Sequence, residues 1–329
     1  MLAGWSVILI LMWITPLELH NVCRRESMKR FFVVLSVFAL ALTWTASAQN
    51  VYGEMKLVYD QGYVFAESSM PDGGTAWFAV DLAVNVTSVS KAWIGARAVI
   101  QKPQGRREAS EGKTYFALGG VGFIGDVVGK ATLPVLNVGG LVFPQTSVSV
   151  LEQAPTVAGR TLSGIIGTDL LRRAEIALFR YGATPTLQLK SKASPMKQAL
   201  SLPMSVSNGF IVVKGEMQGK PVDVILDNGS PESYFPVATL RAVGAAAVPN
   251  STRDITDPEG NVLKVRASNV SGITLSGTEF EAPQFHIAEL GVFTRVPGVS
   301  SPVLLGNSFF STVQAVEINF SESTVRVQK

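Results

Sequence analysis

The chain has 329 residues, of which 28 are basic, 25 acidic, two histidine and one cysteine, and 47% are hydrophobic, enough for a sizeable core. So even a charge balance gives no basic footprint for nucleic acid or anionic lipid, and so few cysteines and histidines exclude a disulfide scaffold and a histidine-rich metal centre. The length holds one large domain or two of about 140 residues each.

The segment 1–48 stands apart from the rest. Met28-Lys29-Arg30 is a basic start, Phe31 to Leu42 an apolar run, and Ala46-Ser47-Ala48 a small-residue cleavage site. That order is the pattern of a secretory signal peptide. A second apolar run, Trp5 to Ile14, lies upstream; because Met28 to Ala48 already forms a complete signal, Met28 is the expected true start. The alternative is an uncleaved anchor, but Phe31 to Trp44 is shorter than the span of about 20 apolar residues that crosses a membrane. The expected location is secreted or periplasmic, in a bacterium, with membrane contact only through an uncleaved leader. The leader takes four of the 28 basic and two of the 25 acidic residues with it, which leaves a net charge of +1 on 49–329. Cys23 leaves as well, so no disulfide supports the fold and the core must suffice.

The remaining chain reads as many short strands. Apolar stretches rich in Val, Thr and aromatic residues alternate with turn residues: Gly62 to Phe65, Ala76 to Val80, Leu133 to Val138, Phe210 to Val213, Val222 to Leu226, Val313 to Phe320 and Thr324 to Val327. Helices are few; Asp169 to Ala174 and Pro236 to Val243 are the candidates, the second with Pro at its first turn. Ser191 to Ser201 breaks the pattern with polar, small and Pro residues and is the expected link between a lobe at 49–190 and a second at 202–329.

One stretch organises the rest. Val222 to Leu226 is an apolar run that climbs into Asp227, followed at once by Asn228, Gly229 and Ser230. A carboxylate at the end of a hydrophobic strand is costly unless hydrogen bonds or a partner hold it. Alone, Asp-Asn-Gly is also a common hairpin turn. The layout recurs, however. Ile211 precedes Asp227 by the same interval at which Phe65 precedes Asp81, and Asp81 to Thr87 lines up with Asp227 to Ser233. Each half then ends in two apolar residues and a glycine before an amphipathic turn, Ile165-Ile166-Gly167 and Leu304-Leu305-Gly306. Three landmarks in one order at nearly one spacing imply a duplicated unit.

Strand, Asp-(Thr/Ser)-Gly, hairpin, then apolar-apolar-Gly before a short helix resembles the retropepsin-like aspartic proteases. That family occurs as homodimers of one such unit or as two lobes in one chain. The resemblance covers nearly all of residues 57 to 329 and implies an all-β fold of two homologous retropepsin/pepsin-like lobes with few short helices. It places the catalytic aspartates at Asp81 and Asp227, with Leu82, Ala83, Asn228, Gly229 and Ser230 as the supporting loops. Where the family has Thr or Ser after the aspartate, this chain has Leu82 and Asn228; where the family has Gly, the first half has Ala83. An Asn amide can bond across the lobe interface as the hydroxyl does, whereas Leu cannot, and the Cβ of Ala83 is expected to crowd the carboxylates. Hairpin flaps over the cleft are implied at Asp257, Glu259 and Gly260 in the second half and at Gly120 and Gly122 in the first.

Other chemistries fit less well. Gly120 to Gly125 is a literal Gly-x-Gly-x-x-Gly, but the stretch 126–134 includes Gly129 and Pro134 and does not continue as the helix a dinucleotide site needs. The acidic residues around Asp257 lack the spacing of a calcium loop. His286, between Phe285 and Ile287, reads as a strand residue, and no Gly-x-Ser-x-Gly elbow accompanies it. Two close carboxylates need no metal and no cofactor to activate a water. The expected protein is therefore an exported endopeptidase acting on peptide or protein substrates, a monomer because one chain holds both half-sites. The alternatives are an inactive relative that binds peptides or an envelope partner in the same cleft, and an all-β structural module.

Overall fold

Branched and aromatic residues pack well on a pleated surface, and here they form strands almost throughout. The computed structural model describes residues 51–70, 73–101, 113–116, 123–256, 262–281 and 284–329. The leader and the expected flap residues Gly120, Gly122, Asp257, Glu259 and Gly260 lie outside the described residues. Among the described residues no helix is long and apolar enough to cross a membrane. The fold is all-β in two pepsin-like lobes, with only short helices such as Thr168–Leu171 and Val237–Ala242.

The halves pair their strands alike. Gly53–Asp60 and Leu200–Ser207 each serve two sheets. The first pairs through Gly53 to Lys56 with Thr186–Lys190, then through Leu57 to Asp60 with Tyr63–Ser69. The second pairs through Leu200 to Pro203 with Thr324–Gln328, then through Met204 to Ser207 with Phe210–Met217. Each turns back through a two-residue hairpin, Gln61-Gly62 and Asn208-Gly209, with φ of 50° and 81° and of 50° and 85°. Positive φ at both positions matches the right-handed twist of the flanking strands.

The next strands carry the site. Thr75–Val80 pairs antiparallel with Tyr63–Ser69 and parallel with Arg160–Ile166. Lys220–Leu226 pairs antiparallel with Phe210–Met217 and parallel with Pro302–Leu305. Short strands at Ser88–Ser90 and Tyr234–Phe235 then flank Arg160–Ile166 and Pro302–Leu305 on their other sides. Between the halves, Ile176–Arg180 pairs antiparallel with Ala315–Asn319 and joins one sheet across the molecule. The largest apolar cluster runs through both halves and includes Phe78, Phe143 and Phe179 with Phe235, Phe309 and Phe310.

Several boundaries differ from the sequence reading. The helix expected over Asp169 to Ala174 is only Thr168–Leu171, because the chain must turn into the buried strand Ile176–Arg180. The second helix is Val237–Ala242; Pro236 precedes it in extended conformation, and the free Val237 N–H is taken by Glu289 Oε1 at 2.9 Å. Leu200 and Ser201 already belong to a strand, so the connection between halves spans 191–199. It is tied down at Ser194, whose N–H donates to Glu317 Oε2 at 2.8 Å and whose carbonyl accepts from Arg326 at 2.9 Å. Fully buried Glu317 is in turn paired with Arg326 at 2.8 Å. After the glycine-rich 120–122 the chain runs as a strand, Phe123–Val138, and not as a helix.

Candidate active site

The strands Thr75–Val80 and Lys220–Leu226 end in Asp81 and Asp227, both fully buried. The parallel neighbour fixes each aspartate's backbone: Asp81 N–H donates to Ile166 O and Asp227 N–H to Leu305 O, both at 3.0 Å. Each Oδ1 then accepts the N–H two residues on, from Ala83 at 2.7 Å and from Gly229 at 3.0 Å. A carboxylate that bonds its own following backbone makes a rigid Asx turn.

The apolar-apolar-Gly landmarks bracket these turns. Gly167 N–H donates to Thr87 Oγ1 and Gly306 N–H to Ser233 Oγ, both at 3.0 Å. Thr168 N–H donates to Val84 O and Asn307 N–H to Ser230 O, both at 2.7 Å. A Cβ on Gly306 would overlap the Glu232 carbonyl, and one on Gly167 would stand 2.7 Å from Val84 O. Glycine is needed there because the backbones touch. Sequence reading missed the two hydroxyls, although Thr87 and Ser233 hold equivalent positions after the two aspartates.

The halves interlock reciprocally around the pair. Thr168 Oγ1 donates to Gly209 O at 3.1 Å, and Asn307 Nδ2 donates to Gly62 O at 2.8 Å. Each opening hairpin thus seats on the opposite aspartate loop. A Cβ on Gly62 would lie 2.5 Å from Pro231 Cβ, and one on Gly209 would overlap Asn85. At the centre, a Cβ on Gly229 would overlap Oδ2 and Cγ of Asp81, so the loop of one aspartate rests directly on the other's carboxyl group. The two carboxyl groups are near enough for each to shift the other's titration.

Of the two departures after the aspartates, one keeps the cross-lobe bond and one does not. Asn228 Oδ1 accepts the N–H of Leu82 across the interface at 2.8 Å, the bond a hydroxyl would make. The Leu82 side chain is fully buried in the main apolar core and returns no such bond. The crowding expected at Ala83 does not arise. Its N–H still reaches Asp81, and its methyl packs with Phe210, Val212 and Ile225 of the other half. Ser230 is a brace, its Oγ donating to Glu232 O at 2.9 Å.

Asn228 therefore supplies this bond from one side only. Asn228→Leu leaves the buried Leu82 N–H unpaired and is expected to cost about 1–3 kcal/mol. Urea denaturation would read this as a lower midpoint at constant slope. Asn228→Thr keeps an acceptor oxygen and loses less; equal losses in the two variants would refute the role.

Burial raises both carboxyl pKa values, since the charged form is the one that loses most by leaving water. Asp81 is pushed up to about 7, against the pull of the Ala83 N–H and of its bond with Asp227. Asp227 is raised by burial and further by the charge of Asp81. Among the described residues, Oδ2 of each aspartate finds no hydrogen-bond partner. Two such groups side by side cannot both ionise cheaply. Tyr63, at the hairpin of the first half, is raised by burial and by the charges of Glu232 and Asp227, which places it beside the pair. His286 lies on the strand His286–Ile287, 3.5 Å from Glu232 and not among the hydrogen-bond partners of either aspartate.

Residues 213–309 match the family described as aspartyl protease. The chain matches none of the curated proteins. Among solved structures it is similar to basic 7S globulin from soybean, with a TM-score of 0.51 and 10% identity over 85% of this chain and 97% of that one.

Proposed function

We propose that this aspartic-protease-like protein is an exported endopeptidase that hydrolyses peptide bonds with a water activated between Asp81 and Asp227. The observation that carries the reading is the juxtaposition of two buried aspartates, the Asp227 loop resting on the Asp81 carboxyl group, each held at Oδ1 by its own loop and unpartnered at Oδ2. The ionised partner takes a proton from the water as its oxygen attacks the peptide carbon. The protonated partner gives its proton to the carbonyl oxygen. Collapse of the tetrahedral species then expels the amine, which leaves with a proton from the pair. Substrates are peptides or unfolded protein segments, no cofactor takes part, and one chain supplies both aspartates. Export rests on the Met28 to Ala48 segment.

A second reading has its own support. Both aspartates are fully buried and Leu82 leaves one side of the interface without its hydroxyl. These features suit a cleft that binds a peptide or an envelope partner without cutting it.

A peptide-library digest from acid to neutral pH separates the two. The expected result is weak cleavage that strengthens as pH rises through about 7, where Asp81 gives up its proton and Asp227, raised further, keeps the one the pair shares. Leu82→Thr returns a hydroxyl opposite Asn228 and is expected to raise the rate by on the order of 10-fold or more, part of the roughly 10²-fold a misplaced group costs. Absence of cleavage by both wild type and Leu82→Thr, with peptide retained in a binding assay, would select the second reading.

A further inference from the structure

A cluster of ionisable groups next to the aspartates has no part in the hydrolysis above. Glu232 follows Asp227 on the same loop. Its Oε2 accepts from Tyr234 Oη at 2.8 Å and from Arg253 Nη2, and its Oε1 lies 3.5 Å from His286 Nε2. Arg253 is the first residue of the strand Arg253–Thr256, which pairs antiparallel with Val262–Ala267. His286 stands in register with Tyr234 on one side and with Ala267 on the other. One carboxylate therefore joins the Asp227 loop to both strands of the hairpin, to the outgoing one through Arg253 and to the returning one through the backbone at His286.

The imidazole is the unusual member. It is buried, its ring centroid lies 5.9 Å from that of Tyr234, and its Nδ1 has no partner among the described residues. With Nε2 beside a carboxylate, the neutral ring carries its hydrogen on Nε2 and leaves Nδ1 bare. A second proton would sit on Nδ1, buried and without an acceptor. The groups that face it are Glu232, which favours that proton, and Arg253, which opposes it. Tyr234 packs on the ring, and Tyr63 from the other half senses the same Glu232 charge. Arg266 is exposed and in register with Ile287 instead.

We propose that Glu232, Arg253 and His286 form an acid-released clamp that holds the 253–256 and 262–267 strands to the Asp227 loop. Burial lowers the imidazole's pKa from its ordinary 6.5, against the pull of Glu232. The clamped arrangement therefore binds the proton more weakly than a released one, in which the ring is solvated. As pH falls below 6.5 the released state gains about tenfold in population for each unit by which the clamped value is depressed. The gain levels off once pH passes that depressed value. For its use the clamp rests on the protease reading, since the strands it holds or releases lie beside the Asp227 loop.

The test is backbone hydrogen exchange of the full chain at about pH 7.5 and about pH 5, corrected for intrinsic rates, with the strand pair 176–180 and 315–319 as internal reference. In acid, protection across 253–256 and 262–267 is expected to fall relative to that reference, and His286→Gln is expected to abolish the change. In 49–329 His286 is the one histidine, and histidine-selective NMR reads the same cause directly: it titrates below the ordinary 6.5. Unchanged protection in wild type, an equal loss in His286→Gln, or a His286 titration at or above the ordinary 6.5 would each overturn the clamp. None of these readouts involves cleavage. A chain that cuts peptides but fails them loses only the clamp, and one that passes them but cuts nothing loses only the hydrolysis.

Discussion

Asp81→Asn and Asp227→Asn are each expected to abolish cleavage at every pH, and Asp81→Asn at the same time to make the fold more stable above neutral pH. The two effects have one origin. An amide cannot hand a proton to and fro, so the pair loses its acid and its base together. The same amide carries no charge to bury. Because the Asp81 pKa rises from 3.8 in water to about 7 in the fold, the folded state keeps a proton that the unfolded chain gives up. Stability is thus undiminished below about 3.8, falls as pH climbs toward 7, and stays low above it. A lift of that size corresponds to on the order of 4 kcal/mol at the alkaline end. Urea midpoints of wild type and Asp81→Asn should therefore diverge from acid to about pH 8 and coincide in strong acid. Cleavage that survives in Asp227→Asn would sink the two-carboxyl mechanism.

Gly229→Ala is expected to be among the most damaging single methyl additions in the molecule. The new Cβ would overlap the Asp81 carboxyl group, so one loop has to move off the other. The movement strains the contact between the carboxyl groups and the Leu82 N–H bond to Asn228 together. Overpacking of this kind costs about 1–3 kcal/mol in stability. A displacement of about 1 Å at reacting groups costs about 10²-fold in rate. The matched change in the other half, Ala83→Gly, removes a methyl that the Phe210, Val212 and Ile225 cluster already accommodates and should leave the rate within a few-fold of wild type. Measured kcat/KM for the two variants tests the asymmetry; equal losses would show that the halves meet the pair alike.

Much of this arrangement was legible in the sequence because it is carried by residue types with few other uses. An aspartate at the end of an apolar strand, and a glycine after two apolar residues, are local signals, and the structure places both pairs where strand pairing brings them together. The alignment of Thr87 with Ser233 was also present, but a hydroxyl in a loop has many roles, and only the fold shows both accepting a glycine N–H. The tolerance of Ala83 was not legible, since the cluster that takes its methyl comes from the other half of the chain. Nor was the Glu232 cluster. His286 and Arg253 are distant in sequence from Asp227, and no periodicity announces that one carboxylate will meet both.

The pairing of Ile176–Arg180 with Ala315–Asn319 also sets an order of assembly. Ile176 meets Asn319 and Arg180 meets Ala315, partners that lie in opposite halves of the chain. A ribosome delivers the first half complete, with its own sheets closable, while one flank of Ile176–Arg180 still offers unpaired backbone groups. That flank is covered only when nearly the last residues of the chain arrive, and Thr324–Gln328 then closes over Ala315–Asn319. An open edge of this kind is a template for the same strand of another nascent copy.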